Sequence, residues 1–260
     1  MRDAFGSRWS AYRTLLSAAL DGGYEVLSLD EWFHHRPDAA ARVLVLRHDV
    51  DQQPVSALRM AAIERELGLR STWYFRWRTA HPSVIDAIAA DGGAVGLHYE
   101  TLTRALLTTG ASRASPELIE RCRDELRQEI ATFARRHGPT HSICPHGDTR
   151  VPGVDNLVLL RYQDPAAFGV AFDGNEVMRG RLLGAWLTDR RGGASWKDDA
   201  DPLALMRDRT SPIFAIIHPN NWASRADAGR DRLLRRLLPD AARLPRPIRS
   251  GSDHPPNALP

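Results

Sequence analysis

Five places in the chain gather residues able to ionise or to bind a metal: Arg47-His48-Asp49-Val50-Asp51, Arg76, His98-Tyr99-Glu100, Pro145-His146-Gly147-Asp148 and His218-Pro219-Asn220-Asn221-Trp222. Aspartate and histidine are ligands for zinc and similar divalent ions, and catalytic sites of this kind leave one coordination position open. Asp49 and Asp51 stand two residues apart, so in an extended segment both side chains point the same way. One of them can hold the ion while the other accepts a proton from water, and a histidine across the site can protonate a leaving group. The chemistry available to such a set is metal-assisted hydrolysis.

Each of these groups follows an apolar run. VLVL (43–46) has the continuous apolar character of a strand covered on both faces, and STWYF (71–75), AVGL (94–97), HSIC (141–144) and IFAII (213–217) are read as further strands. Further strands are expected at YEVLSL (24–29), VAF (170–172) and LLGAWL (182–187). Helical patterns lie between them, at about 10–19, 54–67, 82–90, 116–137 and 225–238. The longest is opened by Ser115-Pro116 and carries Leu118, Cys122, Leu126, Ile130 and Phe133 at spacings of three or four. Strand-then-helix repetition predicts an α/β fold with a parallel sheet, and the length fits a distorted, incomplete (β/α) barrel better than an open doubly wound sheet. No GxGxxG or P-loop sequence occurs. In a parallel barrel the C-terminal strand ends share one face, so the five groups are expected to meet there.

The chain has 260 residues with a net charge of +3, and 43% of them are hydrophobic, which excludes a disordered, collagenous or coiled-coil protein. The basic excess lies in residues 225–260, whose eight arginines and four aspartates give +4, leaving the remainder at −1. That distribution argues against a nucleic-acid partner. No apolar run is long enough for a membrane span and the first residues lack a signal-peptide core, so a cytoplasmic protein is expected. Residues 1–238 are read as one domain and 239–260 as a Pro/Arg-rich tail. Cys122 and Cys144 are expected to be buried free thiols. Nothing in the sequence specifies an oligomeric state.

The motifs HDVD (48–51), GLHYE (96–100), CPHG (144–147) and IIHP (216–219) resemble those of the polysaccharide deacetylase family, over about Asp30 to Trp222. The resemblance implies an incomplete (β/α) barrel that removes N-acetyl groups from amino sugars with a divalent ion, zinc being the expected one. It implies Asp49 as general base, Asp51 and His98 as metal ligands, and His218 as general acid. Where the family has a second histidine four residues on, this chain has Leu102; His146 or Glu100 is then the remaining ligand. The family's arginine-bearing motif is absent from its usual place, and Arg76 is a candidate to orient Asp49. Trp222 and Trp77 are candidates for contact with sugar, and the fourth motif has no clear match, although Trp186, Asp189 and Trp196 lie in its region. These departures support an alternative, a catalytically inactive module that binds a glycan or a partner protein.

Overall fold

The computed structural model describes residues 6–35, 37–38, 40–179, 184–192 and 195–237. The expected tail 239–260, Leu182 and Leu183 of the LLGAWL run, and Leu238 lie outside them. Among the described residues the strands are β1 (Glu25–Ser28), β2 (Val43–Val50), β3 (Thr72–Phe75), β4 (Ala94–Tyr99), β5 (Ser142–Pro145), β6 (Phe172–Asp173), β7 (Ala185–Thr188) and β8 (Ile213–Ile217). All pair in parallel, in the path β6-β5-β4-β3-β2-β8-β7. β1 lies off that path against the first half of β2, Glu25 to Ser28 opposite Val43 to Leu46, while β3 takes the second half from Arg47 to Val50. The architecture is an incomplete (β/α) barrel.

Side chains alternate across each strand, and two apolar layers follow from that period of two. Val43, Val45, Tyr74, Cys144, Phe172, Phe214 and Ile216 form the inner layer. Leu44, Leu46, Val50, Trp73, Phe75, Leu97, Ile143, Ala215 and Ile217 face the helices. The helix Pro116–His137 shows how the outer layer is built. Ser115 Oγ accepts the Leu118 N–H, Pro116 opens the first turn, and Leu118, Cys122, Leu126, Ile130 and Phe133 are all buried. Gly96 is required by packing: a Cβ there would stand 2.3 Å from the Ser142 carbonyl oxygen and 2.7 Å from the Tyr74 ring. Tyr74 thus fills the barrel, its hydroxyl sharing a hydrogen bond with Ser142.

Two features depart from the sequence reading. β2 runs four residues beyond VLVL, so Arg47 and Asp49 are buried inside a strand. Charged residues read as a strand end unless their partners are known, and here each neutralises the other. Helices at Leu29–His35 and Thr101–Thr109 are also present. The second places Leu102 in the core, 1% exposed. No described helix is long and apolar enough to cross a membrane.

Candidate metal centre and acid–base pairs

The alternation that sorts the core also selects the site. Arg47, Asp49 and Asp51 continue the inward series Val43, Val45; Arg76 continues Tyr74; His98 follows Gly96; His146 follows Cys144; His218 follows Phe214 and Ile216. All emerge at C-terminal strand ends, where βα loops of such folds carry binding groups.

Asp51 Oδ1 lies 3.5 Å from His98 Nε2 and 3.3 Å from His146 Nε2. Donor atoms bound to one zinc at about 2.1 Å sit roughly 3.4 Å apart in a tetrahedral site. Ligand atoms of the three residues all fall within 4.8 Å of one another. Asp51 Oδ1 is buried and makes no hydrogen bond, an orphan acceptor that a cation would satisfy. His98 Nδ1–H donates to the Cys144 carbonyl at 3.0 Å, which leaves the Nε2 lone pair directed at Asp51. Burial lowers the His98 pKa to about 4, against the charges of Asp49 and Asp51, so the ring is the neutral form that binds metals. These residues therefore fit a divalent ion. Asp51 does not cap the helix that follows: the cap position there is Gln53, which makes no side-chain cap hydrogen bond.

Asp49 stands beside this trio, Oδ2 3.6 Å from His98 Nε2. Arg47 grips it with two parallel bonds, Nε to Oδ1 at 2.8 Å and Nη2 to Oδ2 at 2.7 Å. Burial would raise the Asp49 pKa, but the Arg47 guanidinium, then His98 and His218, hold it well below the usual carboxylate range. The other Arg47 donors reach Asn175 Oδ1 at 2.6 Å, Met178 Sδ at 3.5 Å and Cys144 Sγ at 2.5 Å. Asn175 is itself set by Asp173, whose Oδ1 accepts the Asn175 and Glu176 N–H groups. Asp49, His98 and Cys144 also offer metal-binding atoms close together, yet a cation, the guanidinium, already contacts both Asp49 and Cys144.

On the other side, His218 Nε2 lies 3.9 Å from Asp51 Oδ2, and its Nδ1–H donates to Asp189 Oδ1 at 2.7 Å. Asp189 Oδ2 accepts from the His218 backbone N–H at 3.0 Å and from Trp222 Nε1 at 2.8 Å. Burial would lower the His218 pKa; the hydrogen bond and charge of Asp189, with Asp49 and Asp51, raise it to about 9. The imidazolium is then the resident form at neutral pH.

The remaining candidates occupy a ring around this centre. Arg76 is buried and pairs with Glu100, not with Asp49. Glu100 in turn receives Arg150 Nη2 at 3.3 Å. Trp222 is 1% exposed, and its indole serves Asp189. A cavity of about 490 Å³ lies along Trp222, Trp196, Leu15 and Leu203, and none of the ligand candidates lines it. Trp77 is buried on the helix side against Phe133, away from the site. The sequence reading assigned no role to Arg47 or Asp189 and missed Asn175. Arg47 was recoverable from its i, i+2 spacing to Asp49 within one strand; Asp189 and Asn175 arrive by tertiary contact alone.

The fold is similar to that of CE4 family carbohydrate esterases. A CE4 family pseudoenzyme from Bacillus anthracis aligns over 76% of this chain and 61% of its own, at 13% identity and a TM-score of 0.41. A family 4 carbohydrate esterase from Streptomyces lividans, in complex with acetate, aligns over 74% of this chain and 85% of its own, at 16% identity and 0.38. The Xyl-CE4 domain of a multidomain xylanase from the hindgut metagenome of Trinervitermes trinervoides aligns over 76% and 80%, at 11% identity and 0.38. The chain thus spans about three fifths of the pseudoenzyme's length. No protein-family model and no curated protein matches the chain.

Proposed function

We propose that the protein is a metal-dependent hydrolase of amide C–N bonds that removes an N-acetyl group from an amino sugar or a glycan intermediate in the cytoplasm. The observation that carries this reading is the meeting of Asp51 Oδ1 with two imidazole nitrogens beside two ion pairs, the buried Arg47–Asp49 and the part-buried His218–Asp189, one ionised as a base and one protonated as an acid. Asp51, His98 and His146 would hold the ion, and zinc suits a one-carboxylate, two-imidazole set. When bound, the ion supplies Lewis-acid stabilisation of charge on an amide oxygen.

The chain's own groups account for the proton movements. Asp49 takes the proton of the attacking water; Arg47 keeps it ionised and fixes its plane, while each oxygen retains a lone pair outside the guanidinium fork. His218 Nε2 gives its proton to the leaving nitrogen, and Asp189 holds the ring in place and stabilises its charge. The amide C–N bond breaks, hydroxide from water stays on the acyl carbon, and the products are acetate and a free amine. Arg47 beside Asp49 and His146 beside Asp51 supply the two functions whose apparent absence motivated the inactive reading.

The test combines elemental analysis of protein purified without chelator with acetate release from a panel of N-acetylated amino sugars. Metal in the purified protein and acetate release are expected, and Asp49→Asn is expected to keep the metal while abolishing turnover. A protein that binds no zinc when zinc is added, or a fully active Asp49→Asn variant, overturns the assignment.

A further inference from the structure

We propose that Asp148 is a positioning residue of the metal centre: its carboxylate accepts the Nδ1–H of His146 and so aims Nε2 of that ring at the ion. The inference rests on the reading of Asp51, His98 and His146 as ligands and adds how the third of them is held.

That third ligand needs support of its own. Leu102, four residues past His98, lies in the core and offers no donor atom, so the second imidazole comes from the residue that follows β5. The main chain of His146 is fixed from both sides. Its N–H donates to the Tyr99 carbonyl at 2.8 Å, and its carbonyl accepts from Asn156 Nδ2 at 2.9 Å. Asn156 is fully buried and is tied in turn to Thr103, through the Thr103 N–H at 3.1 Å and Oγ1 at 3.0 Å. These bonds set where the His146 side chain begins. Which way the ring turns depends on what its two nitrogens meet.

The three histidines of the centre differ at Nδ1. His98 donates there to the Cys144 carbonyl at 3.0 Å, and His218 to Asp189 at 2.7 Å. His146 Nδ1 is buried and makes no hydrogen bond. A histidine that binds a metal through Nε2 carries its proton on Nδ1, and that N–H ordinarily meets a carboxylate or a carbonyl. Asp148 Oδ2 stands 3.7 Å from it. The gap exceeds a hydrogen bond by about 0.8 Å, and a proton placed on Nδ1 by ligation supplies the attraction that closes it. Asp148 is itself held: Arg150 Nε lies 2.9 Å from Oδ1 and 3.0 Å from Oδ2, and the Arg150 backbone N–H donates to Oδ1 at 3.0 Å. Arg150 Nη2 also reaches Glu100 Oε1 at 3.3 Å, and Glu100 pairs with Arg76. A line of ion pairs, Arg76–Glu100–Arg150–Asp148, thus runs along the mouth of the site from the end of β3 to the loop after β5. Its last carboxylate faces the one ligand nitrogen left unmet.

The experiment measures zinc affinity of the full chain by competition with a chromophoric chelator, beside urea unfolding of the same proteins free of metal. Asp148→Ala is expected to bind zinc about tenfold or more weakly than the parent. Its unfolding midpoint is expected to stay close to the parent's, because the pair with the half-exposed Arg150 adds little stability. Asp148→Asn is expected to recover part of the affinity, since the amide oxygen still accepts. Asp148→Ala made again in an Arg150→Gln background separates the lost acceptor from the charge left on an unpaired Arg150, and the loss of affinity is expected to persist there. Unchanged affinity in Asp148→Ala, a loss that vanishes in the Arg150→Gln background, or an unfolding midpoint that falls in step with affinity overturns the role of Asp148. Acetate release from N-acetylated amino sugars separates the two claims. Zinc binding that depends on Asp148 without acetate release keeps Asp148 and sinks the deacetylase reading. Acetate release with unaltered zinc affinity in Asp148→Ala does the reverse. A parent chain that binds no zinc overturns both.

Discussion

The two faces of β2 carry two buried polar constellations, back to back. Facing the barrel interior, Arg47 and Asp49 join His98 and Asp51. Facing the helices, His48 stacks on Trp73 with centroids 3.9 Å apart and meets Glu64 Oε1 at 2.6 Å. Glu64 also accepts from Tyr12 at 2.5 Å and from Ser71 at 2.5 Å. Both faces combine histidine, carboxylate and burial, yet they do different work. Around Glu64 both carboxylate oxygens are occupied and helices seal the cluster, so it ties the helices Gly6–Asp21 and Pro54–Glu66 to the sheet. Around Asp51 one oxygen is left without a donor at a strand end that opens to the mouth. What separates a site from a clamp here is unfinished coordination beside an opening, rather than the identity of the residues.

Removing one histidine from each face tests that contrast most severely. His98→Ala is expected to lower acetate release by a thousandfold or more, at least about 4 kcal/mol of transition-state stabilisation, and to reduce the metal content found by elemental analysis. Near-normal turnover in that variant would remove His98 from the centre. Glu64→Ala on the helix side is expected to cost about 3–5 kcal/mol in urea unfolding, because it leaves His48 and Tyr12 without their buried partner. Activity per folded molecule should be preserved; a selective loss of kcat with unchanged stability would break the division between the faces.

Smaller changes sharpen the inner face. Asp189→Asn is expected to lower kcat by about a hundredfold, since His218 loses the charge that stabilises its protonated ring. Asp173→Asn probes the support beneath Arg47. Burial raises the Asp173 carboxyl to about 6, above the ordinary 3.8, so the folded state binds that proton more tightly than the unfolded chain. Stability therefore falls as pH rises from about 4 to 6, and the full cost is present above 6. Asparagine keeps the helix cap without the charge, so a gain of about 2 kcal/mol is expected at pH 7.5 and little at pH 4 in paired unfolding curves. Asn175→Ala removes one acceptor from the Arg47 guanidinium and is expected to lower kcat about tenfold with KM unchanged. A rise in KM alone would assign Asn175 to substrate binding instead.

Much of this was legible residue by residue. The VLVL run and its alternation with helical patterns gave parallel strands, and the position of ionisable residues after each strand gave one shared face. The resemblance implied Asp51 and His98 as ligands, with His146 or Glu100 as the third, and the donor atoms of Asp51, His98 and His146 lie together. Arg76 was drawn toward Asp49 because it was the arginine at a neighbouring strand end. Arg47 was instead placed in the group that follows the VLVL strand and given no role, since a charge inside a buried strand looks forbidden until its partner is seen two residues away. Likewise Trp77 and Trp222 were read as possible sugar contacts by residue type, while packing commits one to Phe133 and the other to Asp189.

The sequence by itself determined the period-two pattern, and with it which residues could share the interior of the barrel. It could not say that His48 and His98 would have opposite fates, because parity is defined only relative to the face that neighbouring strands and helices cover. Nor could it say that Asp189 would reach His218 from 29 residues away, or that Asn175 would reach Arg47 from 128. Those pairings depend on strand order and register, which bring β7 beside β8 and β6 to the far edge of β5. Residue type and local spacing set which groups can ionise or bind a metal; tertiary contact decides which of them are neutralised, which are sealed, and which are left with a lone pair facing the opening.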